Sequence, residues 1–202
     1  MERRVRPHYP WPNAIALIRY GLIYPDAVRR LILVDPIGLE DWRAKGVPAI
    51  SVDEWRAREL NTTADSLRRY EQATYYAGQW RPAYDRWVAM LAGMYAGLGR
   101  DAVAQDSALL DEMILTQPVI YDLGKLEPPT VLIVGDKDTT AIGRDLAPPE
   151  ARAKLGNYPE LAKAAAAAIP HARLIEYPTL GHAPQIQDPE AFRKTLLQIL
   201  EP

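Results

Sequence analysis

Apolar residues in this chain fall into two patterns. In the first they form short unbroken runs: Leu31-Ile-Leu-Val34, Val131-Leu-Ile-Val134, and Leu174-Ile175 inside Arg173-Leu-Ile-Glu-Tyr177. The first run, closed by Asp35-Pro36, fits a strand of a parallel sheet buried on both faces, and the other two, closed by Gly135 and by Pro178, read as further short strands. In the second they recur at three- or four-residue intervals. Ile15, Ile18 and Leu22 predict a helix over residues 14–24, with Asn13 as its N-cap and Pro25-Asp26 as its stop. A helix followed by a buried strand is half of a β-α-β crossover. Residues 1–12 offer no preceding strand, since Pro7, Pro10 and Pro12 interrupt them.

Between residues 39 and 121 the strand pattern disappears. This stretch holds Trp42, Trp55, Trp80 and Trp87 with many tyrosines, and reads as several helices, one opening at Asp53 and a long one over 83–98. A helical insertion between two sheet strands predicts a lid over an active site. Further on, residues 145–156 read as irregular and 159–169 as an alanine-rich helix. The last helix has Asp188 as cap, Pro189 at its first position, and Phe192, Leu196 and Leu200 as one apolar stripe. The expected organisation is a leader over 1–13, a core from 14–38 and 122–202, and a lid over 39–121.

Composition narrows the function. A net charge of −2 over 202 residues gives no basic surface for nucleic acid. The absence of cysteine excludes disulfides, thiolate metal sites and a cysteine nucleophile. No apolar run approaches the roughly 20 residues of a bilayer span, and the N-terminus lacks a secretory pattern, so the expectation is a cytoplasmic protein.

The candidate chemistry sits just past two strands. One ends in Gly135-Asp-Lys-Asp138, the other leads into Thr179-Leu-Gly-His182-Ala-Pro184. An acid followed by a histidine, each at a glycine turn beyond a strand, is where an open α/β sheet builds its site. With Arg19-Tyr-Gly-Leu-Ile-Tyr-Pro-Asp26 and Leu31-Ile-Leu-Val-Asp-Pro-Ile-Gly38, these stretches make residues 15–202 resemble the C-terminal half of an α/β-hydrolase-fold protein of the lid-bearing esterase, haloalkane-dehalogenase and C–C-hydrolase superfamily.

That resemblance implies an α/β fold with about three parallel strands, flanking helices and a helical lid. It implies His182 as general base and Asp138 as its acid, with Asp136 and Asp35 as alternatives. His171 reads as a solvated loop residue, and His8 supports no role. It also implies an apolar small-molecule substrate or ligand, a pocket drawing on Trp80, Trp87, Met90 and Met94, and neither metal nor cofactor. The matching nucleophile position is Trp11, which cannot attack, followed by Pro12, which has no N–H for an oxyanion. Ser51, Ser66 and Ser107 all lie in the lid.

The expectation is therefore a truncated or misframed serine hydrolase, inactive as written. A Pro-Trp codon pair shifted by one base can read as Ser-Met. The alternatives are a non-catalytic binding module, and a C–C or carbon–halide hydrolase. Three strands would also leave an unpaired sheet edge that favours association between copies.

Overall fold

In a computed structural model of the chain, residues 13–201 are described. Residues 1–12 of the expected leader, with His8 and the Trp11-Pro12 position, lie outside them. The elements are α1 (Asn13–Ile23), β1 (Leu31–Val34), α2 (Val52–Glu59), α3 (Ala64–Thr74), α4 (Asp85–Ala96), α5 (Arg100–Thr116), β2 (Thr130–Gly135), α6 (Pro149–Arg152), α7 (Tyr158–Ala168), β3 (Ala172–Tyr177), α8 (Pro184–Gln187) and α9 (Pro189–Leu200). The strands pair in parallel in the order β1-β2-β3, aligning Leu33 with Leu132 and Leu132 with Leu174.

That register explains the sequence pattern. Leu31, Leu33, Leu132, Val134 and Leu174 point to one face, where they meet Ile15 and Ile18 of α1 and Ala162 and Ala165 of α7. Ile32, Val34, Val131, Ile133 and Ile175 point to the other, against Phe192 and Ile199 of α9. Period-two alternation thus serves two helical layers, and only the central β2 is buried along its whole length. On β1, Ile32 and Val34 are half-buried. This differs from the expectation of burial on both faces: the α9 side covers β1 less completely.

Four helices, α2 to α5, occupy the stretch between β1 and β2, with α2 packed on α5 and α3 on α4. Their ends differ from the pattern-based reading. Ser51 rather than Asp53 opens α2, through a capping box in which its hydroxyl accepts from Glu54 N–H and Glu54 accepts from Ser51 N–H. The helix expected over 83–98 begins at Asp85 after a 3-10 turn, and α5 follows as the longest described helix. Residues 145–156, read as irregular, contain α6. Asp188 caps α9 by accepting from Ala191 N–H, as its sequence indicates. Among the described residues no helix is long and apolar enough to cross a membrane.

Candidate active site

β2 ends at Gly135 because the chain there must pass under another loop. A Cβ on Gly135 would lie 2.2 Å from the Gly181 carbonyl oxygen and 2.6 Å from that of Leu180. Beyond it the backbone turns, Asp138 N–H donating to the Gly135 carbonyl at 3.0 Å. Asp138 is thereby buried at the strand end. Its Oδ1 accepts from Thr140 N–H at 2.8 Å. Its Oδ2 faces His182 Nδ1 at 2.6 Å, a bond that assigns the ring proton to Nδ1.

His182 follows β3 through a turn laced to the β2 turn, with Asp136 N–H on Tyr177 O at 3.0 Å and Lys137 N–H on Leu180 O at 2.9 Å. The C-terminus of α3 holds it from the other side: His182 N–H donates to Thr74 O at 3.2 Å and Ala183 N–H to Tyr75 O at 3.4 Å. The Tyr75 ring sits 4.9 Å from the imidazole and Tyr158 lies 6.3 Å away, edge-on. Burial presses the imidazole toward its neutral form. The charge and hydrogen bond of Asp138, joined by Asp35, outweigh that and raise its pKa above the ordinary value.

Asp35, directly after β1, adopts a left-handed backbone with φ 41°. Its Oδ1 accepts from Gly135 N–H at 2.8 Å, tying the ends of β1 and β2, while its Oδ2 is buried without a partner among the described residues. Desolvation is the main reason its carboxyl is held well above the usual range. One donor atom from each of Asp35, Asp138 and His182 lies within 4.8 Å of the others, the one group among the described residues that could hold a metal ion. The His182–Asp138 bond commits two of these three groups to each other, an arrangement suited to proton transfer. Asp136 stays outside the trio, and His171 is exposed.

Next to His182, across Tyr75, a cavity of about 720 Å³ opens between α2 to α5 and the loop after β2. Trp55, Leu67, Leu91, Leu110, Ile114 and Ile142 form apolar parts of its wall; Glu59, Glu71 and Asp111 add carboxyls. Trp80, Trp87, Met90 and Met94 are not on that wall. Trp80 packs edge-on against Tyr76 and Tyr84, which stack at 3.9 Å; Arg86 lies over the Trp87 ring at 4.7 Å; Met90 is exposed. Ser66 and Ser107 reach the wall, but Ser51, Ser66 and Ser107 are hydrogen-bonded to Glu54, Thr63 and Tyr95 respectively. Helical periodicity alone did not single out Tyr75 or the wall carboxyls, because α2, α3 and α5 bring them together only on packing.

The chain matches the alpha/beta hydrolase family over residues 13–195. It is 58% identical to a probable hydrolytic enzyme from Pseudomonas aeruginosa, with a TM-score of 0.91, over 94% of this chain and 61% of that one. An enol-lactonase from Burkholderia xenovorans shares the fold at 17% identity and TM-score 0.58, over 94% and 63% of the two chains. A thermophilic esterase from Thermogutta terrifontis does so at 19% and 0.57, over 93% and 60%. The chain therefore spans about three fifths of the length of each of these structures. No curated protein resembles it closely enough to count as a match.

Proposed function

The chain belongs to the alpha/beta hydrolase family, and on that premise we propose that it carries the base and acid of an enzyme hydrolysing an ester or related bond of an apolar small molecule. The observation that carries this reading is the buried 2.6 Å bond between His182 Nδ1 and Asp138 Oδ2, with Thr140 N–H fixing the second carboxylate oxygen. Asp138 holds the imidazole in one tautomer and stabilises the imidazolium. His182 takes the proton of the attacking hydroxyl, returns it to the leaving group, and then activates water against the acyl intermediate. The reading needs no metal or cofactor.

The nucleophile in this reading is a serine on a Gly-x-Ser-x-Gly turn feeding α1, supplied from outside the described residues. Helices α2 to α5 serve as the lid, and the cavity beneath them is the substrate chamber. A second reading, binding without catalysis, is favoured by one observation: described residues line a cavity of about 720 Å³, whereas none of the three serines is bonded to His182 among them.

The test is the coding DNA across and upstream of the Met1 codon, translated in all three frames. An elbow joined in frame to Ala14 supports the hydrolase, and the protein expressed with it should cleave short p-nitrophenyl esters. His182→Ala should then lose at least about 10³-fold in kcat. No elbow in any frame, or ester cleavage indifferent to His182, overturns the reading in favour of binding.

A further inference from the structure

The cavity wall is not uniformly apolar, and its charged groups are unevenly satisfied. Arg58 is bonded to the Asp145 carboxylate and lies 5.7 Å from the Trp55 ring centroid. Arg144 donates to the carbonyls of Thr139, at 3.1 Å, and Leu155. Arg152 donates to those of Asp145 and Ala147, at 2.8 and 3.0 Å. All three cations on the wall are thus tied to protein acceptors through their terminal nitrogens; Arg144 Nε has no partner among the described residues, but it is buried out of reach of the cavity.

The carboxyls are not matched in the same way. Glu71 accepts from the Tyr76 hydroxyl at 3.2 Å. Glu59, near the end of α2, accepts from the Tyr95 hydroxyl, which also lies 3.2 Å from Ser107 Oγ. Asp111 sits four residues beyond Ser107, on the same face of α5, and accepts no hydrogen bond among the described residues. Burial, followed by the charge of Glu59, pushes the Asp111 carboxyl up to about 7 even though Arg58 opposes the shift. Burial raises Glu59 as well. Two neighbouring carboxyls therefore face an apolar-walled chamber in which the nearby cation, Arg58, is hydrogen-bonded to Asp145 rather than to either of them, a combination that a ligand cation would relieve.

We propose that this cavity binds a small molecule with an apolar body and a primary ammonium head, the head between Asp111 and Glu59 and the body along the Trp55, Leu91 and Ile142 wall. A carboxylate head would add a third negative charge where the arginines are already engaged. A hydroxyl head could donate one hydrogen bond but would leave the charge unbalanced. Tyr70 lines the same wall, and Thr74, whose hydroxyl donates to the Tyr70 carbonyl, accepts from His182 N–H, so one helix, α3, links the cavity to the catalytic end. As a statement about substrate, the inference rests on the hydrolase reading: the scissile bond would lie toward Tyr75 and His182.

The chain itself is titrated with hexylammonium, 1-hexanol and hexanoate, following tryptophan fluorescence with Trp55 on the wall and calorimetry as a check. Hexylammonium should bind about tenfold or more tighter than hexanol, with hexanoate weakest. In Asp111→Asn, and in Asp111→Asn combined with Glu59→Gln, that advantage should fall to about twofold or less while hexanol affinity is kept, which also shows that the variants fold. Hexanol or hexanoate matching hexylammonium, a preference that survives both variants, or no binding of any of the three overturns the proposal. None of these readouts needs a nucleophile. A failed search for the serine elbow leaves them untouched, and a missing ammonium preference leaves the hydrolase reading untouched.

Discussion

Gly181 lies so close to the carbonyl oxygen of Tyr75 that an added Cβ would come within 2.5 Å of it, and within 2.7 Å of the Thr74 oxygen. Both obstacles are backbone at the end of α3 and cannot swing aside as a side chain would. The loop that carries His182 is therefore shaped by a helix of the insertion, not by the sheet alone. Gly181→Ala should cost about 1–3 kcal/mol, the range for forced overpacking. At roughly 2–4 °C per kcal/mol for a chain of this size, the melting temperature followed by circular dichroism should fall by several degrees. Gly93→Ala, in α4 with nothing within 4 Å of the new Cβ, should instead raise it, by up to about 1 kcal/mol of helix propensity. A change of the same sign in the two variants, or no loss for Gly181→Ala, would sink the idea.

The imidazole of His182 should titrate above an ordinary histidine, because Asp138 outweighs the effect of burial. In Asp138→Asn the burial effect meets only Asp35, and the pKa should drop. A histidine whose folded pKa is raised adds stability that is fully present below its unfolded value, about 6.5, and is lost as pH rises through the folded value. The stability advantage of wild type over Asp138→Asn should therefore be larger at pH 5.5 than at pH 9. Imidazole proton shifts by NMR check the first statement and urea midpoints at the two pH values check the second. A variant whose His182 titrates unchanged would contradict both.

Asp35 gives the opposite sign. Its carboxyl is raised by desolvation, so ionising it in the folded state opposes folding, and stability falls as pH climbs from the ordinary carboxylate range toward the folded pKa. Asparagine keeps an oxygen for Gly135 N–H and cannot ionise. Asp35→Asn should match wild type near pH 4 and exceed it at pH 8 in a urea titration. A variant weaker than wild type at pH 8 would mean that the charge of Asp35 stabilises the fold.

The strands were legible because each side chain of β2 is buried, so Val131-Leu-Ile-Val134 had no reason to alternate with polar residues. Asp138 and His182 were legible because strand-end turns with glycine leave few other places for an acid and a base to meet. The second acid was harder. Asp35 could be placed after a strand from sequence, but its approach to Asp138 and His182 depends on the β1-β2 register. The cavity wall was not legible at all. No sequence pattern singles out Glu59 and Asp111, which come together only when α2 packs on α5, and the tryptophans at helical spacing had neighbours of their own, as Trp80 does in Tyr76 and Tyr84. Helix boundaries failed where a local hydrogen bond decided them, at Ser51 above all.

Glu40 reaches the Asp138 loop through Gly156. Its buried carboxylate accepts from Trp42 Nε1 at 2.7 Å, Lys45 Nζ at 2.6 Å and Gly156 N–H at 2.9 Å. Gly156, at φ 67°, lies under the Asp138 loop: a Cβ there would sit 2.8 Å from the Thr139 oxygen and 3.0 Å from that of Thr140, the residue whose N–H holds Asp138. Removing the carboxylate strands Trp42 Nε1 and Gly156 N–H, while half-exposed Lys45 can turn to water, so Glu40→Ala should destabilise by about 2–4 kcal/mol. Glu40→Gln keeps one acceptor oxygen and should lose less. If Glu40 holds the Asp138 loop in place, the pKa of His182 should fall in Glu40→Gln even where the protein remains folded. A purely structural role would lower the urea midpoint and leave that titration unmoved.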